Sequence, residues 1–127
     1  MNERDIDLRE GWPHRAWLAS LIQHGVKLGL SNIRTLLRAL GNPHHRLRCV
    51  HVAGTNGKGS TCAFIDAMLR AAGLRVGRYT SPHLHDVTER IQVNGQPIPE
   101  SAFAEAMDRA RRAASSLPHP PTFFEAL

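Results

Sequence analysis

Apolar residues recur at helical spacing in four separate stretches of the chain, which predicts helices over about 15–23, 31–40, 60–72 and 100–116. Ser31 or Asn32 is expected to cap the second helix, and Gly73 to end the third. Thr122 can cap a further helix that begins at Phe123. The residues expected to face inward in the second, third and fourth helices are Ile33, Leu36, Leu37, Leu40, Cys62, Ile65, Met68, Leu69, Ala72, Phe103, Ala106, Met107 and Ala110.

Two short apolar runs flank the third helix and predict strands. Cys49–Ala53 is mostly apolar and β-branched, as expected of a strand buried on both faces, and Leu74 to Tyr79 forms the second run. Strand, glycine loop, helix and strand make a βαβ unit with a right-handed crossover. Residues 91–93 and 96–98 flank Asn94-Gly95, a strong hairpin signal. The pattern therefore predicts an α/β fold with a mainly parallel sheet and flanking helices.

Length and composition narrow the class of protein. The chain has 127 residues, a formal net charge of +5 and 42% hydrophobic residues, which is typical of a globular domain. Its apolar runs are too short to span a bilayer, and its first residues lack the pattern of a secretory signal. Two cysteines do not make a disulfide framework, so we expect a cytoplasmic protein. Residues 1–14 are expected to form a polar arm.

The positive charge is concentrated in the middle of the chain. From Arg34 to Arg90 there are nine Arg or Lys residues against three acids. A solvated basic surface is one interpretation of this excess. A partner that carries phosphate, either a nucleotide or a nucleic acid, is the other. Composition alone does not separate the two.

The strongest chemical signal is the run Gly54-Thr55-Asn56-Gly57-Lys58-Gly59-Ser60-Thr61, between the predicted strand and helix. Glycines let backbone N–H groups approach phosphate oxygens, and the start of a helix adds the positive end of its dipole. The run departs from the strict P-loop pattern, because Val52 stands at the first glycine and Gly59 follows the lysine. A hydroxyl of Ser60 or Thr61 could bind nucleotide-bound Mg²⁺. The alternative is a glycine-rich turn with a solvated lysine.

The order of several motifs resembles that of folylpolyglutamate synthase and dihydrofolate synthase, which belong to the Mur ligase superfamily. The resemblance begins at about Trp17 and reaches Leu127. The runs that carry it are His51 to Thr61, Gly73-Leu74-Arg75-Val76-Gly77, Tyr79-Thr80-Ser81-Pro82-His83-Leu84, Glu89 to Gly95 and Pro121-Thr122-Phe123-Phe124-Glu125.

This resemblance implies an ATP-dependent ligase that joins L-glutamate to dihydropteroate or to folate polyglutamates through an acyl phosphate. ATP and Mg²⁺ would be its cofactors, with Ser81 as a metal ligand and Lys58 as the catalytic cation. The residues implied to hold ATP phosphates are Thr55, Asn56, Gly57, Lys58, Gly59 and Ser60. The residues implied to contact the substrate are Val26, Lys27, Leu28, Thr122, Phe123, Phe124 and Glu125, although Lys27 replaces a commonly acidic residue.

The resemblance also sets expectations for the organisation of the protein. Residues 15–127 would be the N-terminal part of the P-loop-containing, Mur-ligase-like ATP-binding domain, truncated before the remaining metal ligands and the glutamate-ligase domain. The chain alone would then be inactive, and the full-length protein would be a monomer that binds neither nucleic acid nor membrane. The alternative functions are a basic nucleic-acid-binding module, which usually interleaves aromatic residues, and a non-catalytic nucleotide-binding fragment.

Overall fold

The computed structural model describes residues 12–25 and 28–127. The chain divides into two compact units. The first unit contains the described residues up to Arg48 together with 101–127, and the second runs from Cys49 to Glu100. Residues 1–11 of the expected polar arm, and Val26 and Lys27, lie outside the described residues.

The first unit is helical. Helix α1 spans Pro13–Ser20 and continues as a turn of 3₁₀ helix, Leu21–His24. Helix α2 spans Ser31–Ala39, and a second 3₁₀ turn covers Pro43–Arg46. Helix α4 covers Glu100–Ala114, of which all but the first residue belong to this unit, and the short α5 spans Phe123–Ala126. The four predicted helical regions are thus confirmed, including α3, which is described below.

Burial in the first unit follows the predicted apolar stripes only in part, since Leu36 of α2 is buried and the other three residues predicted to face inward there are half-buried. Phe103, Met107 and Ala110 of α4 are buried as expected, whereas Ala106 is exposed. Arg15 is also buried, at 1% exposure, and its Cζ atom lies 5.2 Å from the centre of the Trp12 ring and 5.8 Å from that of Phe103. Aromatic faces attract a guanidinium group, which favours an arginine at this position.

The second unit combines one helix with a small sheet. Helix α3 spans Lys58–Ala71, and the strands are β1, Gly77–Tyr79, β2, Ile91–Val93, and β3, Gln96–Pro97. Strand β2 pairs antiparallel with both β1 and β3. The β2–β3 hairpin is confirmed, since Asn94 and Gly95 have φ angles of 51° and 79°, and a two-residue turn of this kind requires positive values at both positions.

The mainly parallel sheet is not confirmed. The three strands found in the described residues form an antiparallel sheet, and Cys49–Ala53 forms neither a strand nor a helix there. Cys49 is exposed, and Val50 is 67% exposed, so neither is in the expected core. Strand β1 pairs instead with β2, because the short chain between them brings Tyr79 opposite Ile91 without a crossover.

Two helix starts also differ from the prediction. Helix α3 begins at Lys58 rather than Ser60, because Gly57 takes a left-handed conformation with φ of 75° and serves as its N-cap. Helix α2 has Leu30 as its N-cap and no side-chain cap, so neither Ser31 nor Asn32 caps it. Asn32 is already the second residue of the helix, so its side-chain oxygen does not stand at the N-cap position.

Candidate functional site

The glycine-rich loop leads directly into helix α3. Gly54 and Gly57 have φ angles of 152° and 75°, which side chains rarely adopt, so the loop depends on glycine at these two positions. A Cβ atom built at Gly54, Gly57 or Gly59 would meet nothing within 4 Å, and all residues from Ala53 to Ser60 are exposed. The loop therefore presents an open backbone surface at the start of a helix of 14 residues.

Lys58 is folded back over this loop. Its Nζ atom donates hydrogen bonds to the carbonyl oxygens of Gly54, at 2.7 Å, and Thr55, at 3.2 Å. The lysine therefore places a full positive charge beside the backbone of Gly54 and Thr55 and stabilises the turn. The next turn of helix is closed by Thr61, which donates from both its backbone N–H and its hydroxyl to the carbonyl oxygen of Gly57. Lys58, Gly59 and Ser60 form the first turn of α3.

Ser81 lies in the connection between β1 and β2. It is exposed, and the loop Thr80–Asp86, which we call the serine loop, leads from it to a 3₁₀ turn at Val87–Arg90. In the part of the chain that the structure describes, no group of three or more His, Cys, Asp or Glu side chains is placed to hold a metal ion. Ser81 nevertheless offers a hard oxygen donor, which suits Mg²⁺ held mainly by nucleotide phosphates.

The Glu89 carboxylate binds the far end of the serine loop. It accepts hydrogen bonds from the backbone N–H groups of Leu84, at 2.9 Å, His85, at 3.2 Å, and Asp86, at 3.1 Å. The Asp86 side chain in turn accepts from the Thr88 N–H at 2.8 Å, which completes a capping box. The backbone N–H group of Leu84 makes the largest contribution to lowering the pKa of Glu89 below its ordinary value, and those of Asp86 and His85 add to it.

We expect the serine loop to open only at a pH below the ordinary titration range of a glutamate carboxyl group. Because the pKa of Glu89 is lowered by folding, its carboxylate stabilises the loop at pH values above the pKa that it has in the unfolded chain. This stabilisation is lost as the pH falls through the lower pKa of the folded protein. The neighbouring charged groups are His85, whose positive charge also favours the carboxylate, and Asp86. The ¹H–¹⁵N shifts of Leu84, His85 and Asp86 should therefore change together at a pH below the ordinary glutamate range. A transition within that range would contradict this expectation.

The two predicted substrate segments, residues 26–28 and 122–125, each contribute one residue to the same cavity in the first unit. Leu28 and Glu125 line one cavity of about 300 Å³, together with Gly29, Ser31, Asn32, Thr35, Pro118 and His119. Thr122 and Phe123 are buried, whereas Phe124 is 54% exposed and its ring meets that of Phe123 edge-on at 5.4 Å. Phe123 therefore packs in the core, and Phe124 presents much of its ring to solvent.

Glu125 is held in place from two sides. Its carboxylate accepts hydrogen bonds from the Thr122 N–H, at 2.8 Å, and from the Asn32 amide, at 3.0 Å. The Thr122 hydroxyl accepts from the Glu125 N–H at 3.2 Å, so the predicted cap of this helix is confirmed as a capping box. Asn32 was missed as a site residue, because its sequence position indicated only a helix cap. Glu89 and Arg90 were likewise not identified as site residues.

Among residues 12–25 and 28–127, no helix is long and apolar enough to cross a membrane. No protein-family profile matches the chain.

Curated relatives identify similar proteins. The chain is 48% identical over 114 residues to a probable bifunctional folylpolyglutamate synthase/dihydropteroate synthase of Haloferax volcanii, which covers 86% of this chain and 13% of that protein. It is 43% identical over 103 residues to the dihydrofolate synthase/folylpolyglutamate synthase of Bacillus subtilis, which covers 81% of this chain and 24% of that protein. The chain thus spans less than a quarter of the length of these two relatives.

Solved structures agree with these relatives. A bifunctional folylpolyglutamate synthase/dihydrofolate synthase with Mn, AMPPNP and L-glutamate bound matches with a TM-score of 0.79 and 37% identity. The match covers 90% of this chain and 28% of that protein. The chain is therefore similar in sequence and in fold to a part of such synthases.

Proposed function

We propose that this chain, a relative of the folylpolyglutamate and dihydrofolate synthases over part of their length, supplies the phosphate-binding and acceptor-binding portions of an ATP-dependent ligase. The observation that carries this proposal is the glycine loop, in which Lys58 covers the backbone at the start of α3. Its open surface suits the phosphates of ATP. The bound AMPPNP of the similar synthase supports a nucleotide in this role.

The ligase would join L-glutamate to dihydropteroate or to a folate polyglutamate. The acceptor carboxylate would take the terminal phosphoryl group of ATP, and the glutamate amine would then displace phosphate from the acyl phosphate. Lys58 and the N–H groups of the loop from Thr55 to Ser60 would stabilise the charge that grows on the phosphate oxygens. A divalent ion such as Mg²⁺ would add positive charge there, with Ser81 as one of its ligands.

The acceptor would bind in the first unit. The cavity of about 300 Å³ lined by Leu28 and Glu125 offers an apolar side chain beside a fixed carboxylate. A pterin ring presents N–H donors along one edge, and a carboxylate fixed by Asn32 and Thr122 is a suitable acceptor for them. The half-exposed ring of Phe124 is available for stacking. Val26 and Lys27 remain proposed contacts outside the described residues.

Titration of the 127-residue chain with MgATP tests this proposal. We expect amide shifts at residues 54–61 that persist at moderate salt, and separate shifts at Asn32 and Glu125 on adding dihydropteroate. We also expect no ligation by this chain alone, because it spans so small a part of its relatives. ATP- and glutamate-dependent product from the purified chain would contradict the expected inactivity. The proposed function would be contradicted if the chain bound an oligonucleotide instead of MgATP, with an affinity that falls steeply as the salt concentration rises.

The alternative of a basic nucleic-acid-binding module is not favoured by the comparisons, since the similar proteins are synthases. We propose a monomeric, cytoplasmic enzyme.

A further inference from the structure

Two consecutive residues, Glu89 and Arg90, contact the serine loop at its start, middle and end. The backbone carbonyl oxygen of Arg90 accepts from the Thr80 N–H at 3.0 Å, which fixes the start. The Nε atom of Arg90 donates to Nδ1 of His83 at 2.7 Å, which fixes the middle. The Glu89 carboxylate binds the N–H groups of Leu84, His85 and Asp86, which fixes the end. Only Ser81 and Pro82 lie between the first and second of these contacts.

The two side chains suit this task for different reasons. Arg90 is 1% exposed, so its guanidinium is held by the surrounding protein and cannot swing into solvent. A guanidinium has no acceptor, so its bond to Nδ1 requires a lone pair there and fixes the orientation of the His83 ring. Glu89 offers both carboxylate oxygens to three adjacent N–H groups, an arrangement that only the bent backbone of the loop can satisfy. Neither contact involves Ser81 itself.

We propose that Glu89 and Arg90 are positioning residues, which hold the serine loop closed and thereby fix the place of the Ser81 hydroxyl. This inference rests on the proposed role of Ser81 as a metal ligand and deepens it. An exposed serine in a loop without these contacts would sample more positions, and a ligand that must be ordered on binding loses affinity. Groups that orient metal ligands affect metal affinity strongly although they do not touch the ion.

Glu89→Gln is the main test variant, because it keeps the size of the side chain and removes its charge. Glu105→Gln is the matched control, since Glu105 is exposed on α4 and the change in charge is the same. We expect amide exchange at Leu84, His85 and Asp86 to become about tenfold faster in Glu89→Gln, because the charge is lost and one of the two acceptor oxygens is replaced by an NH₂ group. Exchange within α3 should stay unchanged in both variants.

The effect on Ser81 is measured with MnATP, whose paramagnetic ion broadens nearby signals. In the unmodified chain we expect MnATP to broaden the Ser81 amide signal. In Glu89→Gln we expect that about tenfold more MnATP is needed for the same broadening. A purely structural role would change the exchange rates without this shift. Arg90→Lys keeps one donor for His83 and should retain more of the broadening than Arg90→Met. If the Arg90 variants do not fold, the result for Glu89→Gln alone decides whether the serine loop is held in place for Ser81.

The outcomes separate this inference from the proposed function. Unchanged exchange at Leu84–Asp86 in Glu89→Gln would overturn the positioning role even where MnATP broadens Ser81 normally. Faster exchange with an unchanged MnATP requirement would overturn it as well, because the loop would then not need to be closed. Absence of Ser81 broadening in the unmodified chain would refute the metal role of Ser81, and the positioning role would fall with it.

Discussion

Replacing Lys58 by methionine is expected to weaken the binding of MgATP to this chain by about tenfold to a hundredfold. A hydrogen bond to a charged group contributes about 1.5–3 kcal/mol, and each 1.4 kcal/mol is about a factor of ten in affinity. Lys58 is placed to make such a bond, since its Nζ atom already lies over the loop at 2.7 Å from the Gly54 carbonyl oxygen. Methionine keeps an unbranched side chain, one atom shorter, and removes the charge and the donors.

The control for Lys58→Met is Arg75→Met, which removes one positive charge from an exposed position of the same unit. Affinities are to be measured from the amide shifts of residues 54–61 during titration with MgATP at two salt concentrations. We expect Arg75→Met to lower the affinity only slightly and less at higher salt, because screening weakens distant charges. Equal losses in both variants would indicate that the net charge of +5, rather than a specific lysine contact, attracts the nucleotide.

Features determined by neighbouring residues were predicted well from the sequence. The turn at Asn94-Gly95 forms because these two residues tolerate the positive φ angles that it requires. The helix that starts after Thr122 forms because Thr122 and Glu125 satisfy each other's backbone N–H groups. In both cases the chemistry lies within four residues, so that no distant partner is needed. The order of motifs likewise identified the family of synthases to which the chain is related.

Features that depend on distant partners were predicted poorly. An apolar run such as Cys49–Ala53 indicates a buried strand only if other strands pair with it, and the described residues provide none. The burial of Arg15 depends on Trp12 and on Phe103, which is far along the chain. The bond between Asn32 and Glu125 joins residues 93 positions apart. Local patterns contain no information about such pairs, and the pair Asn32 and Glu125 lines the candidate acceptor site.

The largest loss of stability is expected from Phe103→Ala. Phe103 is 0% exposed, its ring meets that of His14 edge-on at a centroid distance of 5.9 Å, and the Arg15 guanidinium lies 5.8 Å from the ring centre. Truncating a buried phenylalanine costs about 3–5 kcal/mol, because transfer energy is lost and a cavity remains. Here the truncation also removes one of the two rings that face Arg15. We expect the free energy of unfolding in urea to fall by this amount.

Phe64→Ala is the control for this prediction, because Phe64 is 70% exposed on α3 and loses the same atoms. An exposed substitution usually changes stability by about 0.5 kcal/mol or less. Amide exchange should become faster in α1 and α4 of Phe103→Ala, since these helices supply the residues around the ring, and α3 serves as an internal reference. Equal effects of the two substitutions would mean that Phe103 is not the centre of this core. A large effect of Phe103→Ala alone would show that this ring holds α1 and α4 together.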